Sequence, residues 1–268
     1  MGKDPSMTAM VLEASLAIEP TGPGRWAAVA SPDYEANSGM FGGWTAALLL
    51  KAVLSEADAT RSASAMTVNF VNRIVPGAAL EVQTTRLGGG RSLTHWRSDV
   101  LAEDTLLATA VVVLAVRKLS DQHIETTMPL APLPASIQPA ILPGTFGSVI
   151  EVRPTLGDDL FNQTTTRSLN WERDGSGRSI DALQIALLAD LGAPRIYFVS
   201  KGPRPSSTIT LSIYFHATDD ELAACGDDYI LSEMIGTRAH AATIGSRKDL
   251  WSRDGTLLAT SEQLCWFR

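Results

Sequence analysis

The chain has 268 residues, 45% of them hydrophobic and 19% charged, with a formal net charge of −7. This length and apolar content can bury one large core or two moderate ones. The acidic balance argues against a general nucleic-acid binder, which would carry a basic surface, although a local basic patch could still bind a phosphate-bearing ligand.

The two cysteines, Cys225 and Cys265, lie in neither a CxxC pair nor a metal-type cluster, which predicts reduced thiols and no metal centre. No apolar run reaches the roughly 18 residues that a membrane span needs. Residues 1–7 lack the apolar core of a signal peptide. We therefore expect a cytoplasmic protein that does not enter a membrane. Met7 is a second candidate for the native start, which would make residues 1–6 an addition.

A first unit is predicted over residues 25–118. Its helix follows the glycine-rich segment 37–43 and covers Trp44–Leu54, where nearly every face is apolar, as in a buried helix. Strand-like runs separated by short turns follow, and this order predicts an antiparallel sheet. The runs are Met66–Val71, Ala79–Leu87, Leu93–Leu101 and Leu106–Arg117.

Residues 119–148 are predicted to be a connector between two units. Prolines are frequent in this span and charges are few, which favours an extended segment that wraps over the surface. The prolines are Pro129, Pro132, Pro134, Pro139 and Pro143.

A second unit is predicted over residues 149–268. Its apolar helix spans Ile180–Asp190 and ends at a Gly-then-Pro stop, Gly192 and Pro194. An Asp254-Gly255 turn joins the last two strands. The predicted strands are Thr208–Phe215, Tyr229–Met234, about Arg238–Leu250 and Thr256–Arg268.

The pentapeptide Thr-Leu-Leu-Ala-Thr occurs at Thr105–Thr109 and again at Thr256–Thr260, each time between a tight turn and a strand. This repetition indicates an internal duplication. Each half then combines one buried helix with an antiparallel meander, and a sheet wrapped round a central helix is the hotdog arrangement. The predicted fold class is therefore α+β, a double hotdog whose halves form an intramolecular pseudo-dimer.

Aligning the halves on the pentapeptide shows where the second half departs from the first. Gln263 falls where the aliphatic face of the first closing strand has Val112. A buried amide without a partner costs about 1–3 kcal/mol, so Gln263 either meets a functional partner, bonds neighbouring backbone or faces solvent.

Two further polar positions stand out in the second half. Asp190 lies in the last turn of the apolar helix, where burial and the helix dipole would both raise its pKa and suit it to act as a general base. The alternative is an ordinary solvated helix-end aspartate. Thr208 ends the hydroxyl cluster Ser206-Ser207-Thr208 and aligns with Ala63. The alternative there is a polar strand-entry loop.

From about residue 30 the chain resembles the type II acyl-CoA thioesterase family, the TesB-like double-hotdog thioesterases. The order and spacing of several segments carry this resemblance together. They are Phe41-Gly42-Gly43, Met66-Thr67-Val68-Asn69-Phe70, Gly90-Arg91-Ser92-Leu93, Ala189-Asp190, Phe215-His216 and Leu257 to Gln263.

The resemblance implies that Asp190, Thr208 and Gln263 bind and activate a water that hydrolyses an acyl-CoA thioester, without a metal or cofactor. Ser206 or Ser207 would supply the hydroxyl if the strand register slips. The resemblance also implies a role in fatty acid metabolism and a possible homodimer or higher homo-oligomer. The first half reads Val71-Asn72-Arg73-Ile74 where the family has Arg-Pro, so the acyl specificity stays open.

Competing functions lack parts of their signatures. The chain has no Gly-x-Ser-x-Gly elbow, no HExxH motif and no Asp-x-Asn-Pro-x-His hydratase motif, which leaves a hotdog hydratase as a weak alternative. A non-catalytic acyl-CoA or lipid-binding hotdog would keep the pocket without needing all three polar side chains. Gly42 and Gly43 are candidate amide donors to an oxyanion. Candidate contacts for the CoA phosphates, unless they form a solvated face, are Arg91, Arg195, Lys201 and Arg204.

Overall fold

The computed structural model describes residues 11–37, 39–157 and 159–268. The candidate start sites Met1 and Met7 lie outside these residues. Within the described residues, the helices of the first half are α1 (Val11–Ser15) and α2 (Gly42–Glu56). Its strands are β1 (Glu19–Gly22), β2 (Arg25–Val29), β3 (Glu35–Ala36), β4 (Gly39–Met40), β5 (Ser62–Phe70), β6 (Ala79–Gly89), β7 (Leu93–Ala102) and β8 (Thr105–Ala115).

The second half repeats this plan with a shorter central helix. Its helices are α3 (Ala182–Ala189), α4 (Arg195–Val199) and α5 (Asp219–Ala224). Its strands are β9 (Ile150–Leu156), β10 (Ser168–Asp174), β11 (Ser206–Phe215), β12 (Ile230–His240), β13 (Thr243–Trp251) and β14 (Leu257–Phe267).

In the part of the chain that the structure describes, one antiparallel 12-stranded sheet runs through both halves, in the order β1-β2-β6-β7-β8-β5-β11-β14-β13-β12-β10-β9. Strands β3 and β4 form a separate pair. The halves meet where β5 pairs with β11, with Val68 opposite Leu211 and Met66 opposite Ile213. Read outward from this seam, the strand order of one half mirrors that of the other. The predicted fold, two tandem hotdog units in one α+β chain, is confirmed.

The strand registers agree with the alignment drawn from the pentapeptide. In the first half, β5 and β8 place Met66 opposite Val112. In the second half, β11 and β14 place Leu211 opposite Gln263. Val112 and Gln263 therefore occupy equivalent positions.

The central helices pack against each other inside the curved sheet. Helix α2 is buried along most of its length because it lies between the sheet and α3, which accounts for its apolar character on nearly every face. The approach at its first turn is close, since a Cβ on Gly43 would lie 2.2 Å from the carbonyl oxygen of Leu187. Only glycine fits there.

The connector packs on the protein rather than hanging free. The ring of Phe146 stacks on Phe41, with 4.9 Å between ring centroids. Further back, the indole Nε1 of Trp171 donates to the carbonyl of Pro132 at 2.7 Å, and Met128 and Ala131 pack on the same cluster. Two short 3-10 turns, Pro134–Ser136 and Thr145–Ser148, interrupt this otherwise extended segment. The domain limits at 118 and 149 stay a prediction.

One predicted turn was misplaced. The sequence pattern put a break between Met234 and Arg238, but β12 continues to His240. The chain reverses instead at Ala241 and Ala242, which adopt positive φ values of 47° and 62°. Alanine rarely takes this left-handed conformation, so the turn carries no glycine or asparagine to reveal it. The sequence pattern also predicted no bounds for the strand pairs β1–β2 and β9–β10 at the two ends of the sheet.

A buried ion pair holds the C-terminal end of α3. The ammonium of Lys248 donates to Glu172 Oε2 at 2.7 Å and to the carbonyls of Leu188 at 2.7 Å and Leu191 at 2.6 Å. Both charged side chains are 1% exposed. Ser232 donates to the other oxygen of Glu172 at 2.6 Å. All three ammonium donors are thus used, two of them on the carbonyls of Leu188, in the last turn of α3, and of Leu191, just beyond it.

This pair belongs to the second half alone. The register that sets Ser98 opposite Ala110 sets Lys248 opposite Ser261. The equivalent of Glu172 is Ala28, since Ala28 pairs with Leu80 as Glu172 pairs with Ile230.

We expect Lys248→Met to destabilise the fold by about 3–5 kcal/mol, because it leaves the Glu172 carboxylate buried without its partner. The double variant Lys248→Met/Glu172→Leu should lose less than Lys248→Met alone, as measured by urea unfolding. Arg25→Met, which breaks an exposed ion pair with Glu81, is the matched control and should cost at most about 1 kcal/mol. A double variant less stable than Lys248→Met would contradict this account.

Candidate active site

Asp190 stands where the C-terminal end of α3 approaches the N-terminal end of α2. It directly follows α3 and forms its C-cap. Opposite it is the N-terminus of α2, where a Cβ on Gly42 would lie 2.6 Å from Asp190 Oδ2. The carboxyl group therefore sits at the unfavourable negative end of one helix and the favourable positive end of the other.

Gln263 is the partner of this carboxyl group. Its Nε2 donates to Asp190 Oδ1 at 3.0 Å, and the residue is 8% exposed. The amide is therefore satisfied by a side chain of another element rather than by solvent. Asp190 and Gln263, which the sequence singled out separately, are brought together by the fold.

Thr208 joins the same group through a residue that sequence reasoning missed. Its Oγ1 lies 3.7 Å from Cys265 Sγ, and that sulfur lies 3.7 Å from Gln263 Oε1. Thr208 and Cys265 are opposite each other on β11 and β14, next to a bulge between Thr208 and Thr210. Burial raises the pKa of the Cys265 thiol to about 11, so the sulfur is a neutral neighbour and not a nucleophile. Ser206 and Ser207 also line the cavity described below.

Opposing effects act on the pKa of Asp190. Burial raises its pKa from 3.8 to about 7, while Lys248, the backbone N–H of Gly43 and Gln263 all act to lower it. The net result is a carboxyl group that titrates near neutral pH. A residue with this environment in a cavity is a candidate for acid–base chemistry.

Asp190 opens onto a cavity of about 660 Å³ shared by both halves and the connector. The first half contributes the start of α2 and the segment after β5, and the connector contributes residues 140–143 and Phe146. The second half contributes the face of its sheet next to α4. Such a volume is typical of small-molecule sites.

The equivalent region of the first half is filled with apolar side chains. Ala63 pairs with Leu114 as Thr208 pairs with Cys265, and Val112 stands in place of Gln263. Ala63 and Val112 are both buried in the core. The polar site is therefore present in the second half, and apolar residues occupy its equivalent positions in the first.

The position of Arg195 differs from the predicted one. It was a candidate exposed contact for CoA, but it is 3% exposed, and its guanidinium packs 4.3 Å from the ring centroid of Phe198. Its position at the start of α4 turns it inward, where it lines the cavity.

Residues 11–37, 39–157 and 159–268 include no group of three His, Cys, Asp or Glu side chains placed to hold a metal ion. Within the same residues, no helix is long and apolar enough to cross a membrane.

Two family profiles match the chain. Residues 30–117 match the acyl-CoA thioesterase N-terminal domain, and residues 127–267 match the acyl-CoA thioesterase C-terminal domain. No curated protein matches the sequence significantly.

Solved structures share the whole fold. A conserved protein of unknown function with a hot dog fold from Alicyclobacillus acidocaldarius has a TM-score of 0.91 at 27% identity, over 96% of this chain and 97% of that one. The tesB protein of Mycobacterium avium subspecies paratuberculosis has a TM-score of 0.80 at 20% identity, over 97% and 99%. The acyl-CoA thioesterase II TesB2 of Mycobacterium marinum has a TM-score of 0.76 at 15% identity, over 96% and 98%.

The structural likenesses at lower identity establish the fold, and the two profiles establish the family. Together the profiles cover most of the chain, one in each half of the double hotdog. The chain belongs to the acyl-CoA thioesterase family and is a thioester hydrolase.

Proposed function

We propose that this enzyme hydrolyses an acyl-CoA thioester to the free acid and CoA with a water molecule that Asp190, Thr208 and Gln263 bind and activate. The observation that carries the proposal is the Asp190 carboxyl group, which has a pKa raised to about 7, accepts a hydrogen bond from Gln263 and faces a large cavity. A general base works best when its pKa lies near the working pH.

The reaction needs one proton carrier and no covalent intermediate. Asp190 takes a proton from water while the water oxygen attacks the thioester carbonyl carbon. The carbon–sulfur bond of the resulting tetrahedral species then breaks, and the proton passes from Asp190 to the departing CoA sulfur. Gln263 and Thr208 hold the water in line with the carbonyl, which lowers the barrier by positioning.

The start of α2 supplies the donors for the developing oxyanion. The first N–H groups of a helix have no intrahelical acceptor, and Phe41 at the N-cap gives no side-chain cap. The Gly43 N–H already donates to the Asp190 carboxyl group, so the N–H of Gly42, which lies beside the same carboxyl group, is the donor that this proposal assigns to the oxyanion. Fixed amide dipoles in a largely buried site are well suited to stabilise negative charge in the transition state.

A non-catalytic acyl-CoA-binding hotdog protein is the remaining alternative outside the class of enzymes. It would not require an aspartate with a raised pKa, hydrogen-bonded to a glutamine, next to uncapped helix amides. Cytoplasmic location, a role in fatty acid metabolism and assembly as a homodimer stay predictions.

We expect Asp190→Asn to lower kcat for acyl-CoA hydrolysis by about 100-fold or more, because the amide cannot accept the proton from water. Release of free CoA thiol across acyl chain lengths measures this, with Asp104→Asn in an exposed turn as the matched control. Equal activity in Asp190→Asn would refute the assignment. Tight acyl-CoA binding without turnover in the unaltered protein would favour the binding alternative.

Thr208→Val should lower kcat by about 10-fold or more, and Thr208→Ser should restore most of it, because the hydroxyl and not the methyl group holds the water. Ser207→Ala is the control, since Ser207 lines the cavity but, within the described residues, forms no side-chain hydrogen bond with Cys265 or Gln263. A larger loss in Ser207→Ala or Ser206→Ala than in Thr208→Val would move the hydroxyl role to that serine.

The activity should rise with pH through about 7, because Asp190 must be ionised to act as a base.

Stability should respond in the opposite direction. The pKa of Asp190 is about 7 in the folded chain and 3.8 ordinarily, so between these two pH values the folded state holds a proton that the unfolded state has lost. The contribution of Asp190 to the free energy of unfolding therefore falls as pH rises through this range. Asp190→Asn should remove this part of the pH dependence of urea unfolding, and an unchanged dependence would contradict the raised pKa.

A further inference from the structure

Two large side chains of the first half have small polar counterparts in the second half. Trp26 pairs with Val82 as Asn170 pairs with Ser232, and Trp96 pairs with Val112 as Ser246 pairs with Gln263. Both tryptophans pack on the first-half core, whereas both counterparts line the cavity. An alanine or glycine would have opened the same space, but the second half carries an amide and a hydroxyl.

These polar groups are turned to the cavity without a partner in the protein. Ser246 is 5% exposed, and within the described residues neither its hydroxyl nor the Asn170 amide takes part in a side-chain hydrogen bond. Their polar atoms are also not sealed off in the core, unlike the orphaned indole nitrogen of Trp26. The free hydrogen-bonding capacity of both side chains is thus available to a ligand.

Arg195 adds a positive charge with free donors to the same cavity. Its Nε donates to the Ala193 carbonyl at 3.0 Å, and its Nη1 donates to the Thr166 carbonyl and to Ser168 Oγ, both at 2.8 Å. Among the described residues Nη2 has no such partner, and it lies beside Gly192, 3.6 Å from where a Cβ there would stand.

No carboxylate balances this guanidinium directly. Arg195 forms no ion pair within the described part of the chain, and the nearby Glu172 already accepts from Lys248 and Ser232. Burial of the guanidinium lowers its pKa to about 10, which fits a cation that lacks a bonded counter-ion. A buried arginine whose Nη2 has no partner can donate this group to an anion such as a carboxylate.

An unsubstituted alkyl chain in this space would leave Arg195 Nη2, the Asn170 amide and the Ser246 hydroxyl without hydrogen bonds. Sites built with such groups discriminate strongly against ligands that cannot satisfy them. We propose that the acyl group of the substrate carries a carboxylate, which Arg195 Nη2 binds with help from Asn170 and Ser246. This inference rests on the proposed function, since it assumes that the cavity holds the acyl part of a CoA thioester.

The first test compares CoA thioesters of matched chain length on the unaltered enzyme: succinyl with butyryl, glutaryl with valeryl and adipoyl with hexanoyl. We expect kcat/KM for the best carboxyacyl substrate to exceed that of its alkyl partner by about 10- to 100-fold, the effect of one charge-assisted hydrogen bond. Equal or better hydrolysis of every alkyl partner would overturn the proposal.

Variants then test which residues cause the preference for a carboxyacyl substrate over an alkyl one. Asn170→Leu/Ser246→Ala and, separately, Arg195→Gln should each lower the carboxyacyl-to-alkyl ratio of kcat/KM by about 10-fold. Arg238→Gln, on the exposed end of β12, is the matched control and should leave the ratio unchanged. Because Arg195→Gln also removes bonds that hold α4, the double variant decides the matter if Arg195→Gln does not fold. An unchanged ratio in the folded variants would overturn the assignment.

A binding measurement distinguishes failure of the carboxylate site from failure of the proposed hydrolytic function. Binding of non-hydrolysable thioether analogues, carboxyalkyl-CoA against alkyl-CoA, is measured by calorimetry and needs no turnover. Tighter binding of the carboxyalkyl analogue without hydrolysis of any thioester would sustain the pocket assignment and refute the hydrolytic role. Hydrolysis of alkyl thioesters with no preference in binding would sustain the proposed function and refute the carboxylate site.

Discussion

A carboxylate at the C-terminal end of a buried helix is the constraint on which the rest of the structure depends. Asp190 follows α3, where the helix carbonyls already concentrate negative charge. Three features offset this arrangement: the ammonium of Lys248 on two of those carbonyls, the amide of Gln263 on the carboxylate, and the N-terminus of α2 facing it. Because two of these come from the second half and one from the first, neither hotdog holds the site alone.

The duplication shows how such a site arises in a repeated fold. The same strand registers carry Ser98 and Ala28 in one half and the ion-paired Lys248 and Glu172 in the other. An isolated buried charge would be strongly unfavourable, so these two positions are energetically coupled. The first half instead carries the small, uncharged and buried residues Ser98 and Ala28 at the matching places.

The sequence was sufficient for the fold class, the two central helices, most of the inner strands and the polar exceptions Asp190 and Gln263. Each of these depends on local periodicity or on comparing one half with the other. The Ala241-Ala242 turn could not be predicted because no residue there favours a positive φ. Cys265, Lys248 and Arg195 were missed or misplaced for another reason: their roles depend on contacts between distant elements, and a cysteine on a strand or an arginine after a helix has no distinctive pattern of its own.

The stacking of Phe146 on Phe41 gives the connector an influence on chemistry that its composition does not suggest. Phe41 is the residue that fixes where α2 begins, so the segment between the halves is tied directly to the amides beside Asp190. The length of the connector and the place of this aromatic contact therefore help to set the geometry of the reaction centre.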